Sequence, residues 1–204
     1  MSWWTDQALP HVTDRLLGAR DIHRLRERVC AGLHGEVVEI GFGSGLDVGH
    51  YPPAVTRVAA VEPSDVAWGL AAPRVAASPV AVDRAGLDGA RLDLPDASFD
   101  SALSTFTLCT VPAVESALTE IRRVLRPGGA LHFLEHGLAP DPAVVRWQRR
   151  LQPLQLRVGG GCHLDRPIAD LVRGSGLEIE WLDTFYAGRP RAYAHVYLGR
   201  AVRS

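Results

Sequence analysis

The sequence predicts an α/β fold, a mostly parallel sheet with helices on both faces. Three observations carry that prediction. Apolar runs of strand length alternate with helical patterns as far as residue 135, the pattern of parallel strands crossed by helices. The run at 37–40 is apolar enough to be buried on both faces, and it breaks into Gly41, Gly43 and Gly45. The last two strand-like runs have no helix between them, which pairs them as an antiparallel hairpin at the edge.

Taken in order, residues 12–33 carry helical spacing, with Leu16, Leu17, Ile22, Leu25 and Val29 among charged positions and Thr13 or Asp14 as cap. After the first strand and its glycine loop, a short helix is expected over 45–50, stopped by Pro52 and Pro53. A second strand at 57–61 ends at Glu62. Ser64 then caps a helix that reaches Val75 and is interrupted at Pro73. Further strands are expected at 80–83 and, after the turn 95–98, at 99–106.

The helix over 113–125 is amphipathic, with Val114, Ala117, Leu118, Ile121, Val124 and Leu125 on one side. It stops at Arg126-Pro127-Gly128-Gly129, where glycine turns the chain into a strand at 130–135. The last third supplies helices at 143–156 and 167–173, a loop of three glycines between them, and strands at 177–184 and 192–202.

A chain of 204 residues is long enough to bury a full core without staples. Its net charge of −1 gives no reason to expect a polyanion partner. All 22 basic residues are Arg, which reads as biased base composition rather than a nucleic-acid role. Cys30, Cys109 and Cys162 are odd in number and form no CxxC pair, which suits reduced thiols. No stretch is long and apolar enough to span a bilayer. Met1-Ser2-Trp3-Trp4 has neither the basic start nor the apolar core of a signal peptide. The expectation is a cytoplasmic protein without stable membrane insertion.

The glycine loop lies where open α/β sheets bind ligands, beyond the carboxyl end of a central strand. Gly41 and Gly43 satisfy two positions of the dinucleotide fingerprint, but its third position is Leu46. Glu39 precedes the loop, and a carboxylate there repels a pyrophosphate and attracts an ammonium or sulfonium. Glu62, at the end of the second strand, can accept hydrogen bonds from ribose hydroxyls. A nucleoside that carries a cation and no phosphates is implied, and S-adenosylmethionine matches it.

Four segments in order, VVEIGFGSG, Glu62 in VAAVEP, DLPDASFD and EIRRVLRPGGALHFLEHG, resemble the class I S-adenosylmethionine-dependent methyltransferases. The resemblance implies a Rossmann-like, seven-stranded, mostly parallel sheet whose last strand is antiparallel. It also implies one domain over 1–204: a helical cover at 1–35, a cofactor-binding core at 36–135, and a substrate-side segment with the hairpin at 136–204. Carried over, Gly41, Gly43 and Gly45 line the methionine and ribose. Glu39 reaches the amino group, Glu62 the ribose, and Pro63 and Ser64 flank the adenine. Asp88, followed by Gly89 and Ala90, meets the adenine amino group, although Leu87-Asp88-Gly89-Ala90 departs from the usual Gly-Asp-Ala. Phe42 either faces the cofactor or packs, Thr105 completes the set, and S-adenosylhomocysteine is the product.

The loop after the fourth strand, Ser104-Thr105-Phe106-Thr107-Leu108-Cys109, lacks the Pro-Pro-aromatic motif of DNA amino-methylating enzymes. No Pro-Cys nucleophile loop or basic recognition domain is present, so a nucleic-acid substrate is rejected. Tyr51-Pro52-Pro53, Thr107-Leu108-Cys109-Thr110-Val111, Leu134-Glu135-His136, Gly161-Cys162-His163-Leu164-Asp165-Arg166 and Ala194-His195-Val196-Tyr197 resemble the methyltransferase-like 7 group. That resemblance implies S-methylation of a small thiol. Methyl transfer to a quinone, phenol or phospholipid amine stays open, as does a non-catalytic S-adenosylmethionine-binding module.

His136 is the expected proton acceptor, because the end of the fifth strand faces the rim of the glycine loop. Glu135 is expected to orient a neighbour. Cys162-His163 reads as a substrate-side loop; one cysteine beside one histidine is not a four-ligand zinc site, and no metal is expected. Cys109 reads as a small buried residue. Trp3 and Trp4 are expected either to border the substrate pocket or to pack.

Overall fold

The computed structural model describes residues 3–204, so residues 1–2 of the expected cover lie outside the described residues. Its strands are β1 (Gly35–Ile40), β2 (Val55–Val61), β3 (Ala81–Gly86), β4 (Phe99–Thr105), β5 (Leu125–His136), β6 (Glu178–Tyr186) and β7 (His195–Val202). They form one sheet in the order β3-β2-β1-β4-β5-β7-β6. The first five pair in parallel. β7 is antiparallel to both β5 and β6, so the hairpin is inserted with its second strand inward and β6 forms the edge.

A π-helical turn (Trp4–Ala8) leads into α1 (Leu9–Leu17), followed by α2 (Arg20–Cys30) and α3 (Asp65–Ala76). The remaining helices are α4 (Val114–Val124), α5 (Pro142–Val158), α6 (Ile168–Gly174) and the single turn α7 (Arg191–Ala194). Among the described residues no helix is long and apolar enough to cross a membrane.

Strand side chains alternate between faces, and that alternation divides the core. From β1, Val38 and Ile40 join Leu118, Ile121 and Val124 of α4 and Ile168 and Val172 of α6. Val37 points the other way, into a cluster with Val29 and Cys30 of α2. On the same side as α2, Ala60 of β2 packs against Ala71 of α3. Each such fully buried aliphatic side chain contributes about 1.5–3 kcal/mol. Helices therefore cover both faces, as the alternating pattern of the sequence requires.

Several boundaries differ from the sequence reading. The helix expected over 12–33 is two helices that break at Gly18 and Ala19, and the first starts earlier. Thr13 is not a cap: it lies inside α1 and its hydroxyl donates back to the Leu9 carbonyl at 3.0 Å. The helix expected over 45–50 shrinks to a 3₁₀ turn, Val48–His50. α3 runs on through Pro73, which sits in its last turn. Ser64 caps it as expected, accepting from the Ala67 N–H at 3.2 Å. α4 ends at Val124, and the glycines after it belong to an irregular start of β5, where Phe99 pairs with Leu125 and Ser101 with Ala130.

His132 of β5 ties the sheet to α2. It is buried, with Nδ1 3.1 Å from the Val29 carbonyl oxygen, and its Nε2 has no partner. Burial pushes its pKa down to about 4. The unfolded chain takes up this proton near pH 6.5, so the stability it confers is complete above that pH and is lost as pH falls toward 4. The loss amounts to about 3 kcal/mol. The thermal midpoint should therefore fall more steeply between pH 6.5 and 4 in the wild type than in His132→Leu. Parallel pH profiles would remove His132 as the cause.

Candidate functional site

In the sheet order β1 has β2 on one side and β4 on the other, so consecutive crossovers leave in opposite directions. Ligand crevices open at such switch points, beyond the carboxyl ends of the strands. A cavity of about 720 Å³ lies there, within the ~300–1,000 Å³ range of small-molecule sites. Its walls come from the loops that follow β1, β2, β3 and β4. Thr5, residues of α1, and the loop after α5 with His163 close it.

The three loop glycines all have positive φ, yet they serve different ends. A Cβ on Gly41 would lie 2.0 Å from Thr107 Oγ1, so its absence lets two loops of the protein touch. A Cβ on Gly45 would press on Ala71, Phe42 and Val48 at 3.2 Å, and Gly45 does not line the cavity. Gly43 is the exception. The nearest atom to its Cβ would be the Gly41 carbonyl oxygen at 3.8 Å, which leaves open space for a ligand on the cavity side. Phe42 both lines the cavity and packs, its ring 5.3 Å from that of Trp68.

Glu62, Pro63 and Ser64 line the cavity at the end of β2. The Glu62 carboxylate is 6% exposed and accepts the Gly43 N–H on one oxygen and the Ser64 N–H on the other, each at 2.7 Å. Burial raises its pKa, and those two N–H groups pull it back. Each oxygen keeps a free lone pair, so the carboxylate can accept from two adjacent hydroxyls. Asp88 and Gly89 line the cavity as well. Ala90 does not; its N–H donates to Asp88 Oδ1 at 2.8 Å and holds that turn.

Glu39 lies outside the lining. It is fully buried on the α2 side of β1, where the Tyr51 hydroxyl donates to one carboxyl oxygen and the other has no partner. Burial and the neighbouring Asp47 charge push its carboxyl well above the usual carboxylate range. The acidic group that does line the cavity beside the loop is Asp47. It accepts from Arg26 at 2.8 Å and from Thr105 at 2.7 Å, and all three residues are lining. Sequence reasoning missed Arg26 and Asp47. The signal was present in Arg26, an arginine on the helical stripe of Val29, Cys30 and Leu33.

Glu135 and His136 also lie outside the lining. Glu135 is fully buried and accepts from Ser104 Oγ at 2.7 Å, Thr107 N at 3.0 Å and Cys109 N at 3.1 Å. It therefore orients the loop after β4. His136 stands behind Phe106, whose ring centroid is 5.0 Å away, and Phe106 is the residue that faces the cavity. The imidazole that reaches the cavity is His163, and burial lowers its pKa. Neither Trp3 nor Trp4 lines the cavity; Trp4 Nε1 donates to the Val158 carbonyl at 2.9 Å.

These groups fit S-adenosylmethionine. Asp14, Asp47, Glu62 and Asp88 outnumber Arg26 among the lining side chains, which favours a cation and opposes phosphates. Glu62 suits a ribose, and Gly43 leaves room for the ligand to approach the backbone. Two alanine variants separate the glycine roles. Gly43→Ala should weaken S-adenosylmethionine binding in calorimetry while costing about 1–2 kcal/mol of stability for its positive φ. Gly41→Ala should lower the unfolding midpoint in urea well beyond that. Equal effects of the two would contradict the division.

A family model described as a methyltransferase domain matches residues 38–133. The thiol S-methyltransferase TMT1B of Homo sapiens is 34% identical over 158 residues, 73% of this chain and 64% of that protein. The Rattus norvegicus TMT1B is 31% identical over 154 residues, 71% of this chain and 62% of its own length. The chain thus spans less than two thirds of these relatives. A phosphatidylethanolamine N-methyltransferase of Cereibacter sphaeroides is 32% identical over 160 residues, 76% of this chain and 77% of that one. In fold, the chain matches a SAM-dependent methyltransferase structure from Thermotoga maritima with TM-score 0.72, 23% identity and full coverage of both chains. Glycine loop, strand-end carboxylate, strand order and relatives agree: the chain belongs to the class I S-adenosylmethionine-dependent methyltransferases.

Proposed function

We propose that this protein methylates the sulfur of a small thiol. The observation that carries this reading is the wall away from the glycine loop. Leu9, Leu17, Phe106, Val111, Pro112 and Leu156 make it apolar, and His163 is the imidazole on it. Asp14, on the same wall, is paired with Arg74 at 3.0 Å. Such a wall desolvates a nucleophile and offers a weak base, and a thiol with a free pKa near 8.5 needs no stronger one. The TMT1B relatives, named thiol S-methyltransferases, support the same acceptor.

The bound cofactor supplies an electrophilic methyl on a sulfonium. Glu62 and the glycine loop hold its nucleoside end, and Asp47, fixed by Arg26 and Thr105, presents negative charge to its cationic end. α1 and the apolar wall exclude water from the acceptor. Burial lowers the pKa of His163, which favours the neutral imidazole that can take the thiol proton. A second reading, methylation of a phospholipid amine, draws on the C. sphaeroides relative, which the chain covers more fully.

Incubation with labelled S-adenosylmethionine and a panel of thiols, phenols, quinones and phosphatidylethanolamine should yield methyl thioethers. Methylation confined to the amine would decide for the second reading. Glu62→Ala should weaken cofactor binding roughly 10- to 150-fold, for a loss of about 1.5–3 kcal/mol. His163→Ala should leave cofactor affinity intact and slow turnover by at most about 30-fold at pH 7, where roughly 3% of such a thiol is ionised. That deficit should shrink as pH rises toward the thiol pKa. A pH-independent deficit would assign His163 a packing role instead.

A further inference from the structure

We propose that Cys109, His136 and Cys162 bind a zinc ion. The three residues lie outside the cavity lining and come from separate segments: the loop after β4, the end of β5, and the loop after α5. One ligand atom from each lies within 4.8 Å of the others. The two sulfurs are 3.7 Å apart. A tetrahedral zinc with bonds of about 2.3 Å sets its sulfurs about 3.8 Å from each other, whereas a disulfide requires about 2.05 Å. The observed spacing, a direct thiol–thiol contact, also suits two ligands on one ion.

The donor chemistry agrees. Two thiolates and an imidazole select zinc over harder cations, and three protein ligands leave one position for water or another donor. The backbone holds the ligands in place. Glu135 accepts the Cys109 N–H at 3.1 Å, and the His163 N–H donates to the Cys109 carbonyl at 2.7 Å, which fastens one sulfur-bearing loop to the other. Arg166 is the nearby guanidinium, and carbonyls of Leu108 and Val111 occupy it. On coordination two Zn–S bonds and one Zn–N bond form, both S–H protons pass to bulk water, and the thiolates cancel the charge of the dication.

The ion would join the three segments that stand behind Phe106 and His163. It is thus a fastener of the acceptor-side wall, and its presence does not depend on which acceptor is methylated. The test is the zinc content of the purified full chain after equilibration with zinc and dialysis, with affinity from competition against a chromophoric chelator. Stoichiometric zinc is expected in the wild type. Cys109→Ser/Cys162→Ser and His136→Gln should each weaken it by more than about a hundredfold, the upper end for loss of a mere outer-shell partner. If the cysteine variant does not fold, cobalt(II) titration of the wild type decides: thiolate-to-cobalt charge-transfer absorption supports the site. No bound zinc and no such absorption would overturn it, as would zinc retained equally by wild type and His136→Gln. These readouts do not involve methyl transfer, so failure here and failure of the thiol reading are distinguishable.

Discussion

The Asp47 carboxylate is 2% exposed, and it receives hydrogen bonds from Arg26 of α2 and Thr105 of β4. Arg26 also donates to Thr105 Oγ1 at 2.9 Å, so three segments close a small circuit beneath the cavity. Removing a carboxylate and a guanidinium from water costs several kcal/mol per ion, and contact recovers that only while both partners are present. The circuit is therefore a poor source of net stability and a strong constraint on position. It ties the glycine loop to a helix on one side and to the central sheet on the other. Burial, with Asp47 beside it, raises the pKa of Glu39 just behind.

A second buried carboxylate controls the other half of the site. Glu135 gathers the Thr107 and Cys109 N–H groups directly behind Phe106, which has φ +54°. A bulky L-residue in that region costs on the order of 1–2 kcal/mol and persists only where its surroundings over-determine it. The Phe106 N–H donates to the Leu134 carbonyl at 2.8 Å, and its ring packs on His136. Both deep carboxylates thus act through the backbone and side chains they hold.

The sheet was legible because its code is local. The mostly apolar runs 37–40 and 130–135 have to be buried, and Ser64 and the glycines have conformational roles that their chemistry announces. Glu62 was legible too, since it lies one residue past the end of β2, where the chain leaves the sheet at the cavity. Glu39 and His136 were not, for a shared reason. Proximity to the carboxyl end of a strand does not determine which face a side chain takes, nor what stands between it and the cavity. Glu39 takes the α2 face, and Phe106 stands in front of His136. The break at Gly18 escaped notice because apolar spacing resumes on the same period after it. The meeting of Cys109, His136 and Cys162 depends on contacts between segments up to 53 positions apart, which no spacing rule encodes.

The cavity is roofed by a lightly buried part of the molecule. Neither the π-helical turn nor α1 buries a single residue. Their attachments include the Asp14–Arg74 pair and the Trp4–Val158 hydrogen bond. Segments with so little buried area open at a free energy far below that of global unfolding, on timescales of about microseconds to milliseconds. On the proposed reading, the Asp47 circuit and Glu62 would set how tightly a molecule is held, while the roof would set how fast it enters and leaves.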